Sequence, residues 1–256
     1  MITDLPTNSF KRGLKAGTPQ IGLWMSLASP VATEIVAGAG FDWMLLDMEH
    51  SPNDVPEIAQ HLRAAVGGTA EPVVRPPWNE PVGVKRLLDL GVRSFLFPFV
   101  QSAEEAKRAV AATRYPPKGI RGVATATRAN RYGRVSDYMK RAEDEICVLV
   151  QVETQKAMAE IEAIAAVEGV DGVFIGPSDL AAAMGHLGNP QHAEVQNAIL
   201  ESGARIRRAG KAPGYLSARD EEIRRTLDAG FGFVAVGSDV VVLARQAEAL
   251  VRTYKK

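Results

Sequence analysis

VLVQVET, residues Val148–Thr154, is a run of β-branched and apolar residues that ends in an acid, Glu153. Charge at the tip of such a strand is costly unless it is paired or bound to a cation. The next run of the same kind, GVDGVFIGPSD at Gly169–Asp179, ends in a second acid, Asp179. Two adjacent strands that each deliver a carboxylate to the same end bring like charges together. The pair therefore predicts one divalent metal, with Mg²⁺ or Mn²⁺ as hard octahedral candidates and Co²⁺ as a third. Taken singly, each acid is equally a first-turn helix residue stabilised by the helix dipole.

Outward from these two runs, strand-like and helix-like segments alternate. Strands are expected at Ile21–Leu27, Asp42–Asp47, Pro72–Arg75, Arg93–Val100, Ile146–Val152, Val170–Ile175, Ala212–Leu216 and Phe231–Val236. Ser29 and Pro30 read as the cap and first residue of a helix, with Val31, Ile35, Val36 and Ala39 on its inner face. Helices are also expected at Asp54–Val66, at Pro81–Leu90, from the Ser102/Glu105 capping box to Thr113, at Thr154–Ala166, Ser178–Met184, Ala193–Ala209 and Ser217–Ala229. A short helix at Ser9–Lys15 opens the chain and an amphipathic one, Ser238–Tyr254, ends it. Strands apolar on consecutive positions suit a parallel sheet covered by helices. Eight strand–helix pairs favour a closed (β/α)8 TIM barrel over an open sheet. No Gly-x-Gly-x-x-Gly follows the first strand, so a dinucleotide site is not expected. Without linkers or shifts in composition, residues 1–256 read as a single domain. One segment breaks the rhythm: Arg114–Asp144 is rich in Arg, Gly, Tyr and Thr and lacks apolar periodicity. Long loops of that kind are functional or interfacial, and this one is expected to close over a neighbouring subunit's active site.

Composition narrows the function. The 30 basic and 30 acidic residues cancel, which argues against a nucleic-acid or membrane-surface partner held by bulk charge. Arg128, Arg131 and Arg134 form a local basic cluster that reads as a solvated or interface segment. Cys147 is the only cysteine. No intrachain disulfide is possible, and its place inside a strand marks a small buried hydrophobe. No stretch is apolar for long enough to span a bilayer, and the N-terminal residues lack the core of a signal peptide. A cytoplasmic location is the expectation.

In a closed barrel the active site lies at the C-terminal ends of the strands. What gathers there is polar: Asp47-Met48-Glu49-His50, Arg75, Gln151 with Glu153, and Gly176-Pro177-Ser178-Asp179. His50 can move protons near neutral pH; Asp47, Glu49 or Asp89 could orient it, and a solvated loop histidine is the plain alternative. His61 falls within a helix, and His186 and His192 in a turn, and all three read as structural. Arg75 has the planar fork to hold a carboxylate or enolate oxygen, or to pair with a rim acid. Gln151 shares a barrel face with Glu153 by strand alternation and is a candidate donor to substrate. Trp24 and Trp78 read as pocket walls or packing. No lysine falls at the strand rim, so a Schiff-base mechanism is not expected and a metal electrophile takes its place.

The segments DMEHSPND, VVRPPWN, YPPKGIRG, QVET and GVFIGPSDLAAAMGHLGN, in this order, resemble the HpcH/HpaI aldolase family, and within it the metal-dependent (class II) pyruvate aldolases. The resemblance runs from about Phe10 to the last helix. It implies a (β/α)8 barrel whose C-terminal helix packs on another subunit, in a homohexamer built as a trimer of dimers. It implies that Glu153 and Asp179 bind the metal. His50 becomes the proton acceptor, acting through water, with Asp89 raising its basicity. Arg75 stabilises the enolate, while Gln151 and the Ser178 backbone hold substrate. Met48 is bulkier than the small residue the resemblance leads one to expect. The implied reaction is reversible aldol cleavage of a 4-hydroxy-2-oxo acid to pyruvate and an aldehyde, the metal serving as Lewis acid. Two rivals stand beside it. One is an acyl-CoA ester lyase of the citrate or malyl-CoA lyase type, with the arginine cluster as a groove for the CoA phosphates. The other is a non-catalytic binding barrel.

Overall fold

Eight parallel strands close into a barrel in sequence order, β1 pairing with β8. The computed structural model describes residues 3–255; Met1, Ile2 and Lys256, the ends of the expected 1–256 domain, lie outside the described residues. A helix α1 (Ser9–Ala16) precedes β1 (Gln20–Met25). Then come α2 (Pro30–Ala37), β2 (Trp43–Asp47), α3 (Val55–Ala64), β3 (Glu71–Arg75), α4 (Pro81–Leu90), β4 (Ser94–Phe97) and α5 (Ala103–Thr113). After a long connection follow α6 (Tyr138–Glu145), β5 (Cys147–Val152), α7 (Gln155–Ala159), α8 (Ile161–Ala165), β6 (Gly172–Ile175) and α9 (Pro177–Ala183). The chain ends with α10 (Ala193–Arg208), β7 (Ala212–Leu216), α11 (Asp220–Asp228), β8 (Phe233–Ser238) and α12 (Asp239–Tyr254). The barrel and its extra N-terminal helix are as the sequence predicts.

Strand alternation sorts the core into two clusters. Trp43, Leu45, Cys147, Leu149, Phe174 and Phe233 fill the barrel lumen, whereas Met44, Leu46, Val148, Val150 and Val173 pack outward in the helix-facing cluster. Phe10 of α1 belongs to the inner set. Its ring lies 5.6 Å from Trp43 and 5.9 Å from Phe233, so α1 stoppers the N-terminal mouth. Cys147 is fully buried and its thiol is pushed well above its ordinary range by burial, in keeping with a packing role.

Several expectations need correction. In α2, Ser29 caps and Pro30 starts the helix, but Val31 and Ile35 point outward, at 65% and 69% exposure. Thr33, Val36 and Ala37 face the barrel instead. The phase is fixed by Thr33, whose Oγ1 lies 2.7 Å from His61 Nδ1 on α3. An outward apolar stripe has the same period as an inward one, so periodicity could not choose between them. The helix expected at Thr154–Ala166 is two short helices meeting at Glu160. Residues 114–144 are not a free loop. Arg121 is clamped between the rings of Tyr115 and Tyr138, at 4.4 and 5.5 Å, and Arg128 donates to the terminal carbonyls of two helices, Leu62 O and Leu90 O. Those helices run back toward the N-terminal mouth, so the insertion lies there and not over its own chain's catalytic end. Met48 is packed in the helix-facing core cluster, so its bulk is spent on packing.

Gly22 faces the lumen, where an added Cβ would fall within the indole of Trp43. Gly22→Val should therefore overpack the lumen and cost about 1–3 kcal/mol, read as a lowered urea midpoint with an unchanged far-UV spectrum.

Candidate active site at the C-terminal mouth

Arg75 is the hub. It ends β3 in register with Asp47 at the end of β2, and its side chain is only 7% exposed. Asp47 holds the guanidinium in a bidentate grip: Arg75 Nε donates to Oδ1 at 2.8 Å and Nη2 to Oδ2 at 2.7 Å. Trp24 Nε1 donates to the same carboxylate at 3.2 Å, and the guanidinium carbon lies 4.8 Å from the Trp24 ring. Glu49 Oε2 lies 2.8 Å from Nη1. Burial alone pushes Asp47 upward. The Arg75 hydrogen bonds and charge, with the Glu49 amide and the Trp24 indole, more than offset that, so its carboxyl sits below the ordinary range. Of the two acids proposed above as His50 partners in this loop, Asp47 is committed to Arg75. Glu49 is shared, its Oε2 also lying 3.9 Å from His50 Nε2.

Glu153, just past β5, is 3% exposed. Its Oε2 accepts from Gln151 Nε2 at 2.5 Å and its Oε1 from the Phe99 amide at 3.0 Å. Gln151 Oε1 in turn accepts from Arg75 Nη1 at 3.5 Å. Gln151 thus links the guanidinium to the carboxylate, on the barrel face that alternation predicts. Gly176 makes room: a Cβ there would meet Glu153 Oε2 at 2.5 Å. Burial first, and then the charges of Asp179 and Glu49, push Glu153 up to about 7, against the lowering hydrogen bonds from Gln151 and Phe99. Glu49 is also raised, by burial above all, with Asp47 and Asp179 adding to it and Arg75 and His50 opposing. Asp179 lies in the first turn of α9, and its charge reaches both of these acids. Asp47 and Glu49 thus both pair with the one guanidinium. Glu153 and Asp179, whose charges act on one another, are the pair that a hard divalent cation would suit, since it favours carboxylate oxygens and removes their mutual repulsion.

The loop after β2 carries His50 and is tied from below. Asn53 Nδ2 donates to Asp47 O at 2.7 Å, and Asn53 Oδ1 lies 2.9 Å from His61 Nε2. Asn53 is the acceptor there, so Nε2 of His61 carries the proton and Nδ1 accepts from Thr33. His61 is a buried neutral clamp, its pKa lowered chiefly by burial. His50 itself is exposed, at 67% of its side chain. Asp89 is not near it in this chain. It is the penultimate residue of α4, which returns the chain to the N-terminal mouth, and its Oδ1 lies 4.0 Å from Arg121 Nη2. Burial raises its pKa, with Arg121 and Lys85 opposing. Ser178 is exposed on α9, a helix capped by Gly176 without a side-chain bond. His186 and His192 stack on one another at 3.5 Å, and His186 pairs with Glu194 at 2.9 Å.

Sequence reasoning missed three contributors. Trp24 grips Asp47 through its indole. Phe99 turns its amide to Glu153 by adopting φ 54°, a left-handed conformation unusual for an aromatic residue. Nothing in the sequence signals that strain. Gly176 was within the quoted GPSD motif, and its lack of a side chain was the available clue.

A mouth with a fixed guanidinium and surplus carboxylates suits reactions that build negative charge on a substrate oxygen, the need of a lyase that makes an enolate. Residues 20–246 match the model of the HpcH/HpaI aldolase/citrate lyase family, and the chain belongs to that family. A 4-hydroxy-2-oxo-heptane-1,7-dioate aldolase of Shigella sonnei is 57% identical over 95% of this chain and 93% of that protein. The Escherichia coli protein of the same name is 56% identical over the same shares. Among solved structures, an HpcH/HpaI aldolase/citrate lyase family protein from Burkholderia cenocepacia superimposes with a TM-score of 0.94. It is 41% identical, over 98% of this chain and 100% of that one. An HpcH/HpaI aldolase from Desulfitobacterium hafniense gives 0.89 at 31% identity, over 96% of each chain. The protein is an aldolase, a lyase acting on carbon–carbon bonds.

Asp47→Asn should remove one charged acceptor from buried Arg75 and cost about 1–3 kcal/mol at neutral pH. The folded pKa of Asp47 is depressed, so its contribution is present above the unfolded value and is lost as pH falls through the depressed one. The gap between wild type and variant, followed by urea unfolding, should accordingly close in acid.

Proposed function

We propose that the protein reversibly cleaves a 4-hydroxy-2-oxo acid to pyruvate and an aldehyde, with 4-hydroxy-2-oxo-heptane-1,7-dioate the foremost substrate candidate. The observation that carries this reading is the buried Glu153 carboxyl, joined through Gln151 to the Arg75 guanidinium that Asp47 grips, at the strand ends where Asp179 adds a second acid. Glu153 and Asp179 hold the metal, and the oxygen donors suit Mg²⁺, Mn²⁺ or Co²⁺. Bound there, the cation supplies Lewis-acid polarisation of the 2-oxo group. Arg75, fixed by Asp47 and Trp24, places its remaining N–H groups where the enolate oxygen gains charge. Gln151 and the Ser178 amide orient the carboxylate end of pyruvate. His50, through water, takes the proton from the 4-hydroxyl. The C3–C4 bond then breaks, its electrons pass into the pyruvate enolate, the aldehyde departs, and the enolate takes a proton at C3 from water to leave as pyruvate.

Asp89 enters this scheme from a second copy. It lies at the opposite mouth from His50 of its own chain, so the dyad implied by the resemblance forms only between subunits. The same logic extends to residues 114–144, which pack beside Asp89 and reach over a neighbour's catalytic end. The chain is a homohexamer in this reading, a trimer of dimers. Asp239 is the only buried residue of α12, which leaves Val242, Leu243, Leu250 and Val251 exposed for a partner, as are Val31 and Ile35 on α2. No helix of the described residues is long and apolar enough to cross a membrane, and a cytoplasmic location completes the proposal. The arginines at 128–134 lie at the far mouth of their own chain.

Glu153→Gln should lose Mn²⁺ binding by calorimetry together with pyruvate release, while the fold stays intact. Full turnover after exhaustive chelation contradicts the metal's role. His50→Ala and Asp89→Ala should each be inactive alone. Co-expressed as mixed oligomers they should regain about a quarter of the wild-type rate, the share of sites that combine two intact partners. No recovery would place both residues in one chain's site.

A further inference from the structure

The turn between α9 and α10 gathers three metal-ligating side chains that the catalytic reading does not use. One ligand atom from each of His186, His192 and Glu194 lies within 4.8 Å of the other two. The two imidazole rings stack at 3.5 Å with their planes 15° apart. His186 Nε2 lies 2.9 Å from Glu194 Oε2, and among the described residues it is the one cationic partner Glu194 has within 4.0 Å. The group is open to solvent, with the His186 side chain 22% and the Glu194 side chain 69% exposed. It also stands apart from the catalytic residues. His50 follows β2 and this turn follows β6, four strands away in a closed ring of eight. The second copy that the proposed function brings to His50 therefore meets the opposite side of the rim.

The backbone brings the three together. After α9, His186 N donates back to Ala181 O at 2.7 Å, past a left-handed Gly185 at φ 86°. Asn189 N then donates to His186 O at 2.9 Å and His192 N to Asn189 O at 3.1 Å, two successive turns that fold the chain back between the histidines. Buried Gln196 holds the loop from below, its Nε2 donating to Pro190 O at 2.8 Å and to Tyr215 Oη at 3.2 Å. His192 caps α10 by accepting from Glu194 N at 3.3 Å, so the carboxylate follows in the first turn of the same helix. The rings themselves are held lightly. That long bond and the His186–Glu194 contact are their side-chain hydrogen bonds among the described residues. A zinc ion keeps tetrahedral ligands about 3.4 Å apart, with bonds of about 2.0–2.1 Å, so rotations that fan the rings open and close the group by about 1 Å suffice.

We propose that His186, His192 and Glu194 form a second divalent-cation site, one that takes a borderline ion of the zinc class, with water completing the shell. Two imidazole nitrogens and one carboxylate suit Zn²⁺, Ni²⁺ or Cu²⁺ rather than Mg²⁺, whereas the oxygen donors at the catalytic mouth suit hard ions. The bound ion is a clip: it pins the end of α9, the helix that carries Asp179 in its first turn, to the first turn of α10.

The test is calorimetric titration of the full, untagged chain with Zn²⁺ in excess Mg²⁺. The wild type should bind Zn²⁺ saturably, and its melting temperature should rise with Zn²⁺ concentration. Glu153→Gln, which removes a ligand from the catalytic mouth, should keep one Zn²⁺ per chain. His186→Gln and His192→Asn, each made in the wild type and in Glu153→Gln, should weaken that binding at least tenfold with an unchanged far-UV spectrum; asparagine keeps a cap on α10. Cu²⁺ bound to Glu153→Gln should show nitrogen hyperfine coupling in its electron paramagnetic resonance spectrum, and the histidine variants should lose it. Three results overturn the proposal: no saturable Zn²⁺ binding to the wild type, loss of all Zn²⁺ binding in folded Glu153→Gln, or unchanged affinity after either histidine substitution. The second would mean that zinc had entered the catalytic mouth instead.

Discussion

Too many carboxylates share too little positive charge at one end of this barrel. Asp47, Glu49, Glu153 and Asp179 converge there, and Arg75 is the buried cation among them. Two like charges in a low-dielectric pocket repel strongly, and the cheapest relief in an isolated protein is to keep a proton. Burial and its neighbours push Glu153 up to about 7. A divalent cation held by Glu153 and Asp179, as proposed, would offer the other relief. The rest of the structure serves to keep these groups from relaxing away from one another.

That restraint comes from outside the pocket as much as from within. The strand ends set the register, Asp47 opposite Arg75 and Val152 opposite Ile175. Asn53 and the neutral His61 hold the loop that carries His50, and Thr33 of α2 anchors His61 in turn. Phe99 accepts a strained backbone to point its amide at Glu153. These contributions are small, each about 1 kcal/mol, but they act on groups whose placement decides the chemistry.

The two mouths of the barrel differ in sign. Acids gather where the strands end, and arginines gather where they begin, on an insertion that braces against α3 and α4. A formal net charge of zero over the whole chain conceals this division. It also explains why Asp89 sits beside Arg121 rather than His50: its helix ends at the basic side.

Much of the fold was legible in the order of residues alone. Eight apolar runs alternating with helical ones, helix caps such as Ser29-Pro30 and Ser102, and acids at the tips of two runs determined the barrel, its direction and the rim where chemistry gathers. Those signals are local, because strand and helix periods and capping are set by neighbours in the chain. Only the tertiary structure decided which acid meets which cation: Asp47 with Arg75, Gln151 with Glu153, Asp89 with Arg121 at the far end. It alone decided that Val31 and Ile35 face outward and that residues 114–144 wrap the opposite mouth. Side-chain pairing across strands depends on distances that close only when the sheet does, and one-dimensional spacing carries no record of them.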